Sequence, residues 1–174
     1  PILQVRSGGD DTWIATERAI YRLRSSRVER VRDLAFEGAS RVRSKTNAFA
    51  RADGVRAYLF EELGFRGNRD DYDDPRNSFL NEVMRRRTGI PISLAVLIIA
   101  IGERIGYEFD GVGLPGHFMI RDRHDPDVFI DVFAGGALLD ARGCEELFHQ
   151  FTGGDKGFHP AYLAPVNHSS IMER

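Results

Sequence analysis

At 174 residues, 42% of them apolar, the chain can bury one sizeable core, so one domain is expected, at most with a small helical extension. A net charge of −2 excludes a general nucleic-acid binder and gives no attraction to an acidic membrane surface. The single cysteine, Cys144, excludes an internal disulfide and fits a reducing cytoplasm.

Residues 1–25 read as a loose N-terminal arm, polar and glycine-rich over 1–12. No signal peptide is visible. The chain starts at Pro1 and stops in HSSIMER, so both ends read as cut from a longer protein. Over 26–45, Val28, Val31, Leu34, Ala35, Ala39 and Val42 recur at helical spacing. The arginines between them read as a solvated face. A second helix is expected over 54–63, ending at Gly64.

GFRGNRDDYDDPRN then reads as a loop. Its carboxylates, Asp70, Asp71, Asp73 and Asp74, invite a calcium reading. The spacing lacks the glycine and distal glutamate of a calcium-binding loop, and Arg66, Arg69 and Arg76 are near enough to pair with them. Asn77 or Ser78 can cap a helix running to about residue 87, and Gly89 ends it. Pro91 suits the first turn of the next helix, over 92–105, which is apolar nearly all round. The run IPISLAVLIIAIG inside it falls short of the roughly 20 residues that span a bilayer.

The period then changes from helical to alternating. Val112, Leu114, Phe118 and Ile120 lie in one set of β-like runs, and Val128, Ile130 and Val132 in another, with RDRHDPD as the turn. If the hairpin centres on His124, His117 and Asp131 stand directly opposite each other on one face. A last helix is expected over 142–151. Cys144, Leu147, Phe148 and Phe151 share its buried stripe, so Cys144 reads as core filler rather than a reactive thiol.

A helix followed by a hairpin bearing His and Asp suits cysteine acyl-transfer chemistry. A nucleophile at the helix N-terminus gains from the helix dipole, the histidine takes its proton, and the carboxylate fixes the imidazole tautomer. The stretches NSFLNEVMRRRTGIPISLAVLIIAIGERIG, GVGLPGHFMIR and FIDVFAGG resemble the transglutaminase-like superfamily, and within it the bacterial SirB-type branch. The resemblance covers residues 59–174. It implies an α+β fold of the papain-like cysteine protease type, a helical lobe with a central helix packed on a small antiparallel sheet. It implies a domain over 26–160, with 161–174 leading toward tetratricopeptide repeats absent from this chain.

Active members of the superfamily show Gly-x-Cys, a small residue four positions after the cysteine, and a glycine eleven further on. Gly89, Ala95 and Gly106 match, but the cysteine position falls on Pro91, which has no nucleophile. Ser93 is the substitute to weigh. Two residues along a helix turn a side chain by roughly 200°, so Ser93 faces away from wherever residue 91 points. Its expected role is a hydrogen bond at the helix start. His117 and Asp131 are then either a structural pair, the floor of a retained ligand or peptide pocket, or remnants of catalysis with Ser93. Asn77, Arg86 and Arg87 flank the motif as candidate binding residues for an acidic substrate or peptide terminus, or they pair with Glu82 and the acidic loop. His124, His149, His159 and His168 show no zinc spacing, so no metal or cofactor is expected.

Two functions compete: a non-catalytic module for a protein or peptide partner, and a hydrolase or acyltransferase using Ser93, His117 and Asp131. Nucleic-acid binding rests only on the arginine-rich first helix, where acidic residues are interspersed, and is not expected. Neither is membrane binding.

Overall fold

Two short strands, β4 (Arg66–Gly67) and β5 (Thr88–Gly89), pair in parallel, and the alternating second half of the chain folds as an antiparallel sheet. Its five strands are β6 (Phe109–Leu114), β7 (His117–Asp122), β8 (Phe129–Asp131), β9 (Ala137–Leu139) and β10 (Pro165–Val166), in the order β10-β6-β7-β8-β9. The structure, a computed structural model, describes residues 2–8, 11–16, 20–23, 48–154 and 156–166. The helix expected over 26–45 and the closing HSSIMER lie outside the described residues.

Four helices are described: α1 (Ala48–Arg56), α2 (Leu80–Arg86), α3 (Pro91–Ile105) and α4 (Ala141–Thr152). A π-helical turn, Ala57–Glu62, extends α1. Proline at N1 starts α3, where no intrahelical N–H is lost, and Gly106 in a left-handed conformation ends it. Helix α4 starts where the Asp140 carboxylate accepts from the Gly143 N–H at 2.7 Å. Among the described residues no helix is long and apolar enough to cross a membrane.

Strand alternation sorts the core into two layers. Phe118, Ile120, Ile130 and Val132 join Leu94, Ile98 and Ile101 of α3 on one face. Val112, Leu114, Met119 and Phe129 meet Cys144 and Phe148 of α4 on the other. The helices are thus laid on both sides of the sheet, and the α+β class expected from the sequence is the class observed.

Three expectations need correction. Residues 1–25 are not simply a loose arm, since β1 (Ile2–Gly8), β2 (Asp11–Thr16) and β3 (Ile20–Leu23) form an antiparallel sheet. Gly8 opposes Asp11 at one end of the β1–β2 pairing. Asn77 and Ser78 do not cap α2. They lie in a short 3₁₀ turn, Pro75–Ser78, and Phe79 precedes the helix. The domain's sheet extends past the expected boundary at residue 160, because β10 pairs with β6 at its edge.

Candidate functional site

Pro115 and Gly116 form the two-residue turn between β6 and β7, with Leu114 opposite His117. Gly116 takes φ +83°, which a type II turn requires after proline, so the turn delivers His117 as the first residue of β7. On the other side of His117 the hairpin register differs from expectation. Ile120 opposes Ile130 and Arg121 opposes Phe129, so the centre is Asp125 rather than His124. Asp122 explains the shift. Its Oδ1 accepts from the backbone N–H of His124 at 2.7 Å and of Asp125 at 3.3 Å, while Tyr107 donates its hydroxyl to the other oxygen. The wider turn moves opposing partners by two residues, which preserves the face each side chain occupies. His117 and Asp131 are therefore diagonal neighbours, still on one side of the sheet.

His117 Nε2 lies 2.9 Å from Asp131 Oδ1, and both side chains are almost fully enclosed. The carboxylate sits off the N–H direction, so the contact is an ion-pair approach without hydrogen-bond alignment. Asp131 Oδ1 also accepts the N–H groups of Phe133 at 2.9 Å and Ala134 at 3.0 Å. Burial pushes this carboxyl up, but the His117 ring and those two N–H groups outweigh it and hold it below the usual carboxylate range. Phe151 of α4 stacks on the imidazole, with centroids 4.9 Å apart and planes 12° apart. Phe133 meets the same ring edge-on at 6.5 Å.

A cleft of about 200 Å³ opens beside the histidine. Ile90, Pro91 and Ile92, from the start of α3, line it together with His117, Phe118 and Tyr72. Pro91 thus shares the cleft with the imidazole. Ser93 is not among the lining residues. Its side chain is buried, donates to the carbonyl of Asn77 at 2.6 Å and accepts from the N–H of Ile90 at 3.1 Å. Gly89 makes this possible, because a Cβ there would come within 2.7 Å of Ser93 Oγ and 3.1 Å of Val83. The hydroxyl is engaged in holding the helix start.

Two of the three flanking residues, Asn77 and Arg86, turn their side chains to the acidic loop. Asn77 is fully buried; its Oδ1 accepts from Asn68 at 2.9 Å and from Arg86 at 3.1 Å. Its amide nitrogen donates to the carbonyls of Asp71 at 2.8 Å and Tyr72 at 3.0 Å. Arg86 donates to Asp74 Oδ2 at 3.1 Å. Arg76 binds the same carboxylate and, with its own backbone N–H, holds the Asp74 pKa down at about 2. Arg87, in a left-handed conformation, donates to the carbonyl of Leu63 and lies over the Phe65 ring. Asn77 and Arg86 therefore build the acidic loop, and the Asn77 carbonyl fastens it to Ser93 of α3.

Cys144 packs on the α4 face, its sulfur 3.6 Å from that of Met119. Burial pushes its thiol up to about 12, with Asp140 and Asp131 adding to the shift, so it is no nucleophile near neutral pH. Among the described residues no three His, Cys, Asp or Glu side chains converge as a metal site. Sequence reasoning missed Tyr72, which lines the cleft, and Phe151 as the ring stacked on His117, both half exposed. A lone aromatic among four aspartates was the available signal for Tyr72.

Both depressed carboxylates predict a pH dependence of known sign. A group whose folded pKa is lowered contributes stability above its unfolded pKa of about 4 and loses it as pH falls through the folded value. Urea melts should show a flat midpoint above about pH 5 and a falling one below about pH 4. Asp131→Asn and Asp74→Asn should each flatten that fall. Unchanged curves for both variants would refute the assignment.

A histidine and a carboxylate on adjacent strands, beside the N-terminus of a central helix, define the scaffold of thiol acyl-transfer enzymes, here with proline at the helix start. The chain belongs to the transglutaminase-like superfamily, whose family model matches residues 26–174. It is 44% identical to a UPF0162 protein of Xylella fastidiosa over 124 residues, 69% of this chain and 44% of that one. A UPF0162 protein of Vibrio cholerae is 37% identical over 131 residues, 72% of this chain and 47% of that one. F-box only protein 21 of Homo sapiens is 34% identical over 131 residues, 70% of this chain and 20% of that one. The chain thus spans less than half the length of each of these relatives. No solved structure gives a significant match.

Proposed function

We propose that this is a non-catalytic transglutaminase-like domain of the SirB-type branch, acting in the cytoplasm as a regulatory module that holds a protein or peptide partner. Pro91 carries the reading: it stands at the first position of α3, in the cleft with His117, where a thiol enzyme needs its sulfur. Two further observations support it. Ser93 spends its hydroxyl on backbone groups, and the Cys144 thiol is buried on the α4 face. The relatives' greater length fits a domain that works beside others, among them the tetratricopeptide repeats of that branch.

The test pairs an activity assay with partner capture. The purified domain should turn over no ester, thioester or amide substrate. Full-length protein and domain alone should retain the same partner, and Tyr72→Ala should lose it while keeping the parent melting temperature. His117→Ala should lower stability by about 1–3 kcal/mol, the cost of an unmatched buried carboxylate, with no activity to lose. Turnover abolished by Ser93→Ala in a variant that still folds would establish the hydrolase reading instead.

A further inference from the structure

Resting on that reading, we propose that the cleft receives an extended peptide that inserts one apolar side chain and carries lysine or arginine beside it. Size argues first. At about 200 Å³ the cleft falls below the roughly 300 Å³ at which small-molecule sites begin, and it is open on one side. It suits a single side chain presented by a longer chain rather than an enclosed cofactor. Its walls are apolar, from Ile90, Pro91, Ile92 and Val166. The polar side chains among the lining residues are those of His117, 4% exposed, and Tyr72.

Charge argues second. Tyr72 stands at the rim, 52% exposed, with Asp70 and Asp71 before it and Asp73 after it, all exposed. None of those three carboxylates is in an ion pair or side-chain hydrogen bond among the described residues, whereas Asp74 is consumed by Arg76 and Arg86. Of the nearby cations, Arg76 and Arg86 share the Asp74 carboxylate, and Arg69 lies with its guanidinium over the Phe133 ring at 5.8 Å. Arg69, the surplus arginine on Asp74 and the roughly half positive charge at the N-terminus of α3 offset these carboxylates only in part, and the three carboxylates that stay unpaired are the ones beside Tyr72. A cationic flank is therefore favoured over an anionic one.

Preorganisation argues third. The Asn77 amide grips the carbonyls of Asp71 and Tyr72, and the Tyr72 ring meets Phe133 edge-on at 5.8 Å. The loop is already in place, so its ordering adds little cost on binding.

Fluorescence anisotropy with the intact chain tests this, using labelled peptides with one central leucine flanked by lysine, by glutamine or by glutamate. The lysine peptide should bind about five- to tenfold more tightly than the glutamine one, and the glutamate peptide weakest. Raising salt from about 0.05 M to about 0.5 M should erase the difference. Asp70→Asn with Asp73→Asn should remove the lysine preference and leave the glutamine peptide unchanged. Tyr72→Ala should weaken all three. Equal binding of the three peptides, or no binding of any, overturns the proposal. So does a lysine peptide that binds as well with serine in place of leucine, because that is attraction to the loop alone. If no peptide binds while partner capture still depends on Tyr72, this inference falls and the module reading stands. Substrate turnover through Ser93 sinks the module reading and leaves a lysine preference intact.

Discussion

Asn77→Leu should destabilise the domain by about 3–5 kcal/mol, among the largest effects expected of a single substitution. The side chain is fully buried and makes four hydrogen bonds, two as acceptor and two as donor. Leucine of similar size leaves the Asn68 amide, the Arg86 guanidinium and the carbonyls of Asp71 and Tyr72 without that partner. Each orphaned buried group costs about 1–3 kcal/mol, with the charged one at the upper end and loop-edge carbonyls partly rescued by water. For a domain of this size the melting temperature should fall by about 10 °C. Hydrogen exchange should quicken first in residues 68–77, because the amide ties that loop to itself and the Asn77 carbonyl ties it to Ser93. A fall of less than about 2 °C would mean the network is not what holds the loop.

Pro91→Cys should create a thiol with an acidity unlike that of Cys144. Position 91 is the first residue of α3, where the helix dipole favours an anion, and it shares the cleft with His117. With Nε2 turned to Asp131, Nδ1 is the ring atom left to take the thiol proton. The pH midpoint of alkylation should lie at about 6.5 rather than the free-cysteine value of about 8.5. Adding His117→Ala should move it back up by about a unit or more. Helix stability should change little, since N1 tolerates most residues. A midpoint at about 8.5 that ignores His117 would show that the residue-91 side chain and the imidazole do not face each other across the cleft.

Much of the fold was legible along the chain. Helical spacing located α3 and α4, proline and Gly106 marked the ends of α3, and alternation located β7 and β8. Those signals are local: each depends on one element's period or on one residue's backbone freedom. Pro91 at the start of α3 was equally legible, because proline suits the first helical position. The diagonal pairing of His117 with Asp131 was not, because the Asp122 carboxylate widens the turn through bonds that spacing alone does not rank.

The sequence by itself determined the class of scaffold, the proline at the start of α3 and the face that His117 and Asp131 share. Only the tertiary structure decided that Asn77 and Arg86 serve the acidic loop, that Ser93 serves the helix start, and that Tyr72 and Phe151 flank the histidine. The reason is physical. A side chain's period follows from its own element, but its hydrogen-bond and ring partners come from elements brought together across many residues, by packing that no single stretch encodes.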